Sequence, residues 1–362
     1  MLPTARLEYD LPDDLIATHP ASPRDTSRLM VVSRSEPERI EHRRFHHLPE
    51  YLTENDILVR NRTAVLPARL AGKRLDSSGR IEGLFLEEHA AGLWTAMLKS
   101  NGKLREGLEI ALHHPEGPER TGPVLRINER AETGWRVSVT PPEHAPQTLA
   151  RIGATPLPPY ILASRKAQQD HTPDEQDRSD YQTVYADTSA NASVAAPTAG
   201  LHFTPELERT LTDRGVRTAE VLLHVGAGTF APVTAEKVED HPIHAEHIEI
   251  PEVTTAAISR ARASGGRAVC VGTTTVRALE SLPADQHSFS GPTDLLIAPG
   301  HAFRMTDALI TNFHLPRSTL LAMVSALFDD ADPVARLLGY YRIAVDERYR
   351  FYSFGDAMLI LP

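Results

Sequence analysis

Apolar positions along the chain follow two different patterns. Between about residues 70 and 149 they come in short runs: IEGLFLEE (81–88), LWTAML (93–98), LEIAL (108–112), PVLRI (123–127) and WRVSV (135–139). Gly79, Ala91-Gly92, Asn101-Gly102, Gly117-Pro118 and Gly134 punctuate them. Short strands at regular spacing, each ended by a glycine or proline turn, predict a small antiparallel β-barrel.

The second half alternates helix-like and strand-like text. Thr204 is placed to cap a helix with Pro205 at its first position, Leu207 and Leu211 share one face, and Gly215 ends it. VRTAEVLLHV (216–225) follows as a strand. A second helix, over 252–264, stops at Gly265-Gly266, and RAVCVG (267–272) reads as a buried strand. Such alternation predicts a layered, largely parallel sheet. Residues 318–328 are apolar on nearly all sides and predict a buried helix. Asp332-Pro333 opens another, with Val334, Leu337, Tyr341 and Val345 on one stripe. The polar, weakly patterned stretch 161–180 predicts a mobile loop. DILVR (56–60), ahead of the barrel, reads as one more strand of the sheet. The expected fold class is therefore α/β. A layered mixed-sheet catalytic domain is built from 1–68 and 151–362, and a small antiparallel β-barrel is inserted over 69–150.

Composition adds limits. With 362 residues, 41% hydrophobic and 24% charged, the chain has room for two globular domains. Its single cysteine, Cys270, excludes an internal disulfide and fits a reducing compartment. No apolar run reaches the ~18 residues a spanning helix needs, and the N-terminal text has no signal-like core, so a cytoplasmic location is expected. A net charge of −10 speaks against a polyanionic partner. The stretch 39–80, however, holds nine basic residues (Arg39, Arg43, Arg44, Arg60, Arg62, Arg69, Lys73, Arg74, Arg80) against five acidic ones. A nucleic-acid patch and a solvated face both remain open.

In open α/β sheets ligands lie beyond the carboxyl ends of strands. Four predicted ends carry polar or glycine-rich text: Asn61-Arg62-Thr63, His224 to Phe230, Gly272 to Arg277, and Thr311 to Pro316. Gly226-Ala227-Gly228-Thr229 could cradle phosphate or sugar through backbone N–H groups, or be a plain turn. It lacks the third glycine of a dinucleotide fingerprint, which argues against NAD. GTTTVR offers three hydroxyls and Arg277, or simply a capped helix with an exposed arginine. His241, His244, Glu246 and His247 contain metal-ligand types without an established metal spacing, so no metal is expected. Strand alternation there would put His244 and Glu246 on one face, suited to acid–base work or to an orienting hydrogen bond.

Longer motifs carry a resemblance: VAAPTAGLHF (194–203), LLHVGAGTFAPV (222–233), His244-Ala245-Glu246, VGTTTVRALES (271–281), LITNFHLPRSTLLAMVSA (309–326) and YRFYSFGDAML (349–359). Weaker matches are SRL (27–29), LPPYI (157–161) and YQTVY (181–185). Taken together they resemble the S-adenosylmethionine:tRNA ribosyltransferase-isomerases of queuosine synthesis. The resemblance implies an α/β domain with an inserted barrel. It also implies transfer of the ribosyl group of S-adenosylmethionine to 7-aminomethyl-7-deazaguanine at the tRNA wobble position, giving epoxyqueuosine, adenine and methionine. S-adenosylmethionine is then a consumed cosubstrate, with no other cofactor and no metal, tRNA is the partner, and a monomer is expected.

Such chemistry needs a base for the acidic C–H beside the sulfonium, a proton donor for departing adenine, and a deprotonated amine. His244, Glu246 and His314 are the candidates for proton handling. Thr273, Thr274 and Asn312 would hold sugar or base, and Arg277 the methionine carboxylate. Phe203, Phe230 and Phe313 could face the sulfonium or pack in the core. The remaining substrate-binding candidates are Asn61, Thr63, Arg69, Thr198, His202, His224, Gly226, Gly228 and Thr229. The chain departs from the family at Arg62 and Ala64, where an Asp or Asn and then a basic residue are usual, at Ala192-Ser193, where Gly is usual, and at Ala231. If Arg62 replaces the missing cation, it should face an anionic group of a substrate. Rival readings are a same-fold paralogue with another acceptor, a non-catalytic RNA-binding protein, and a metallohydrolase.

Overall fold

Alternate residues of the central strands belong to two separate apolar clusters, which shows a sheet covered on both faces. A computed structural model describes residues 1–117, 122–190, 193–226 and 233–362. In β1 (Arg28–Ser33), Met30 and Val32 join one cluster while Leu29 and Val31 join the other. β2 (Ile40–Arg44) runs antiparallel beside it. In β3 (Ile57–Asn61) the alternation is Ile57 and Val59 against Leu58. A period of two with both faces apolar is what a buried, layered sheet requires.

After β3 the chain leaves the sheet and builds a closed six-stranded antiparallel barrel. Its strands are β4 (Arg69–Arg74), β5 (Arg80–Ala90), β6 (Leu93–Ser100), β7 (Glu109–His113), β8 (Val124–Ala131) and β9 (Gly134–Thr140). Phe85, Trp94, Ile110, Leu125, Ile127 and Val137 fill it. The helix α1 (Ala145–Ile152) closes one end with Leu149 and Ile152. The chain then returns to its point of departure. Arg69 and Ala154 exchange both backbone hydrogen bonds, at 3.0 and 2.9 Å. Gly153 lies so close to Pro67 that a Cβ on it would sit 1.8 Å from the Pro67 carbonyl oxygen.

The expected loop at 161–180 is instead two helices, α2 (Pro159–Gln168) and α3 (Asp174–Asp180). The polar text misled because a charged pair is buried between them. Arg165 and Asp177 are each 5% exposed and meet at 2.7 Å, and Arg165 also donates to the Thr18 carbonyl at 2.8 Å.

The chain then completes the sheet. Helix α4 (Pro205–Asp213) is capped by the Thr204 hydroxyl, which accepts from Leu207 N–H, and Leu207 and Leu211 are buried. β10 (Arg217–Leu223), β11 (Glu246–Ile250), α5 (Glu252–Ala263), β12 (Ala268–Val271), α6 (Thr273–Glu280), β13 (Phe289–Thr293) and β14 (Ala308–Asn312) follow. Helix α7 (Thr319–Ser325) is shorter than the apolar run containing it: the Ser318 hydroxyl caps its start, and its C-cap is already Ala326. In α8 (Pro333–Asp346) Ala344 is buried and Val345 only half-buried, a one-residue shift of the predicted stripe. β15 (Ala357–Leu361) closes a nine-stranded sheet ordered β13-β11-β10-β3-β12-β14-β15-β1-β2. Its middle is parallel, β10 to β3 to β12 to β14, and its flanks are mixed. Helices α5 to α8 pack on one face, and α4 on the other.

Candidate active site

Because β10, β3, β12 and β14 are parallel neighbours, Leu223, Asn61, Val271 and Asn312 end on the same edge of the sheet. A cleft, partly open to solvent, lies there. The turn from β12 into α6 needs Gly272 at φ +88°, a conformation side chains resist. It brings Thr273 and Thr274 to the cleft wall, with the first N–H groups of α6, which have no partner inside the helix. Thr198, Thr311, Asn312 and His314 form the adjoining wall, and Tyr160, Tyr352 and Ser353 close it from α2 and the chain before β15. Among the described residues the lining holds no Asp, Glu, Lys or Arg.

Of the predicted site residues, Thr198, Thr273, Thr274, Asn312, Phe313 and His314 line this cleft. Asn312 is held on every side: its Nδ2 donates to the Tyr352 carbonyl (3.1 Å) and to His202 Nε2 (3.2 Å), while its Oδ1 accepts from Thr198 Oγ1 (2.9 Å). His202 sits behind it, its other nitrogen 2.8 Å from Ser27 Oγ. Burial, and to a lesser degree the nearby positive charges of Arg350 and Arg24, lowers the His202 pKa to about 3. His314 Nε2 meets Thr311 Oγ1 at 2.7 Å, and burial lowers its pKa to about 4. At neutral pH both rings are uncharged and are weak proton acceptors, so His314 is a poorer general base than its residue type suggests.

A second polar group stands at the ends of β3, β10 and β11. Asn61 is fully buried and stitches the strands, accepting from Leu223 N–H (3.1 Å) and donating to the Leu223 carbonyl (2.9 Å). Thr63 Oγ1 lies 3.0 Å from His224 Nδ1, and the pKa of His224 is lowered by burial and then by His247. Glu246, 6% exposed, accepts the Gly226 N–H at 2.9 Å and meets Arg277 Nη1 at 3.0 Å. Arg277 is thus not the exposed arginine of a simple capped helix; it is 9% exposed and faces Glu246.

Several expectations need correction. His244 is exposed and lies ahead of β11, which begins at Glu246, so it does not share a strand face with that buried residue. For Phe313 and Phe203 it is the core-packing alternative that holds: Phe313 packs on Tyr341, Tyr349 and Phe351, and Phe203 on Phe45 and Tyr185. Arg69 belongs to the stalk of the barrel, the paired connections at Arg69–Ala154 and Pro67–Gly153, and does not line the cleft. Arg62 pairs with Asp187 and Glu249, so its charge is already balanced within the protein. Arg39, Arg43, Arg60 and Arg74 also carry ion pairs, and the basic stretch is divided between β2, β3 and the barrel. Gly228, Thr229 and Phe230, with the departures at Ala192 and Ala231, lie outside the described residues. Among the described residues no group of three or more His, Cys, Asp or Glu is arranged to hold a metal ion. No described helix is long and apolar enough to cross a membrane.

Residue chemistry alone did not single out Tyr160, Ser27, Tyr352 or Ser353. The only signal for them was the short matching text around 27–29, 157–161 and 349–359.

Comparison with known proteins agrees across the whole chain. Residues 4–360 match the model of a family described as queuosine biosynthesis protein. An S-adenosylmethionine:tRNA ribosyltransferase-isomerase of Parvibaculum lavamentivorans is 46% identical over 358 residues, 98% of this chain and 97% of that one. The protein of the same name from Thermotoga maritima is 45% identical over 359 residues, 99% of each chain. The crystal structure of an S-adenosylmethionine tRNA ribosyltransferase from Thermotoga maritima aligns over 98% of this chain and 100% of that one, with a TM-score of 0.53 and 36% identity. On fold, motifs and relatives together, the chain belongs to the queuosine biosynthesis protein family.

Proposed function

We propose that this protein is an S-adenosylmethionine:tRNA ribosyltransferase-isomerase. It moves the ribosyl part of S-adenosylmethionine onto 7-aminomethyl-7-deazaguanine in the tRNA wobble position, forms epoxyqueuosine, and releases adenine and methionine. The observation that carries this reading is the end-to-end identity of 43–46% with relatives of that name. The site is compatible with it. An uncharged cleft lined by hydroxyls and the Asn312 amide suits a nucleoside, and Glu246 with Arg277 supplies carboxylate and guanidinium beside Gly226. Glu246 is the candidate for proton handling, and the neutral His314 would orient substrate through hydrogen bonds. S-adenosylmethionine is a consumed cosubstrate in this scheme, and no metal takes part.

The test is to incubate the protein with S-adenosylmethionine and tRNA carrying the aminomethyl base, with a strong chelator present, and to analyse nucleosides and small products by mass spectrometry. Epoxyqueuosine with stoichiometric adenine and methionine is expected. Methylated RNA with S-adenosylhomocysteine would overturn the reading, and activity lost on chelation and restored by one metal equivalent would overturn its metal-free part.

A further inference from the structure

Asn312 ends β14 and lines the cleft, yet it is only 2% exposed, and its neighbours dictate how its amide is turned. A backbone carbonyl can only accept, so the amide atom 3.1 Å from the Tyr352 oxygen must be the NH2 group. Its second hydrogen points to His202 Nε2, 3.2 Å away. That nitrogen therefore accepts, the ring proton sits on Nδ1, and Nδ1–H donates to Ser27 Oγ at 2.8 Å. The imidazole is 4% exposed and stacked on Phe45 with ring centres 4.9 Å apart. Its burial keeps it neutral, and a protonated ring would set a donor against the Asn312 NH2. Both amide hydrogens are thus spent inward. Asn312 keeps one lone pair of Oδ1, and Thr198, having given its hydroxyl proton to Oδ1, offers only lone pairs beside it.

We propose that His202 is a positioning residue that fixes Asn312 as an acceptor, and that Asn312 Oδ1 with Thr198 Oγ1 selects a hydrogen-bond donor on the ligand. In the function proposed above, on which this inference rests, that donor is a ribose hydroxyl or the exocyclic amine of S-adenosylmethionine. A buried acceptor left facing a group without a proton is costly, so the pair discriminates more by rejection than by attraction.

Calorimetric binding to the full chain would compare S-adenosylmethionine with its 2′-deoxy, 3′-deoxy and N6,N6-dimethyl analogues. At least one analogue should bind about tenfold or more weakly than the parent, and which one does so identifies the donor. In His202→Leu, checked as folded by circular dichroism, the gap should shrink to about threefold or less, because the amide is no longer held. His202→Gln, which can again present an acceptor to Asn312, should restore most of it. Should His202→Leu fail to fold, Thr198→Val removes the neighbouring acceptor at constant shape and should narrow the same gap. Equal binding of all four ligands to the unaltered protein, or an unchanged gap in the folded Leu or Val variant, overturns the proposal. Release of no adenine by a protein that still discriminates would sink the ribosyl-transfer reading and leave the acceptor assignment standing.

Discussion

Glu246 stands between Arg277 on α6 and the backbone of Gly226, so its charge and its shape can be separated by experiment. Glu246→Gln retains a carbonyl oxygen for the Gly226 N–H and removes the charge. Turnover should fall by about a hundredfold or more, the usual scale for lost acid–base help, in a protein that still folds. If residual activity only tracks the folded fraction, the carboxylate serves the sheet and not the reaction. His202 and His314 give a second expectation. Their pKa values are lowered from 6.5 to about 3 and about 4, so between those values and 6.5 the unfolded chain binds protons that the native rings refuse. Stability is therefore full above pH ~6.5 and is lost as pH falls below it, by about 1.4 kcal/mol per pH unit for each ring. Urea unfolding at pH 7.5 and about pH 5 checks this, and His202→Gln should flatten the slope. At this scale the sequence showed residue types but not their surroundings. Glu246, Asn312 and Thr198 stood in recognisable text, whereas nothing in local spacing joins Ser27 to His202, 175 residues away. The pairing of His244 with Glu246 failed because strand parity was applied two residues before β11 begins.

Among the elements, those with apolar periodicity were legible and those stabilised by buried charge were not. The period-two strands of the barrel and the capped helix α4 fall close to where pattern and turn residues put them. Helices α2 and α3 were invisible because their inward face presents Arg165 and Asp177, which any hydropathy pattern scores as surface. Removing one member of such a pair leaves the other charge buried, whereas replacing both need not cost stability. Arg165→Met alone should destabilise the protein by about 3–5 kcal/mol, and adding Asp177→Leu should recover much of that loss in thermal melts. Equal melting of the single and double variants would mean that another cation, such as Arg69, whose charge already favours the Asp177 carboxylate, compensates for the missing guanidinium.

For the whole molecule, counting charge along 39–80 overstated the free positive surface. Arg60 pairs with Glu208 and Glu220, and Arg62 with Asp187 and Glu249, partners more than a hundred positions away. Within that stretch only Arg44, Arg69, Lys73 and Arg80 carry no ion pair among the described residues. Four phosphate contacts at about 0.7–0.9 released counterions each predict a log–log salt slope for tRNA binding of about −2.8 to −3.6. Filter binding between about 50 and 200 mM salt measures it, and a much steeper slope would place the main RNA contact elsewhere on the protein. The two-part architecture itself was legible, since the switch from short runs separated by turns to alternating helices and strands lies on the surface of the text. The stalk was not, because Gly153 and Pro67 are an ordinary glycine and proline until the chain returns between them.

That stalk makes the barrel a cassette with a single doorway. Its two connections touch, Arg69 bonded to Ala154 and Gly153 against Pro67, so excising the barrel leaves two ends that a few residues can rejoin without stretching the sheet. A chain in which a short Gly-Ser bridge replaces residues 69–153 should fold, bind S-adenosylmethionine near the parent affinity, and report by what it can no longer do which step the barrel was inserted to serve. If that shortened chain is insoluble or unfolded, the doorway is a structural joint and the barrel a necessary part of the wall it opens through.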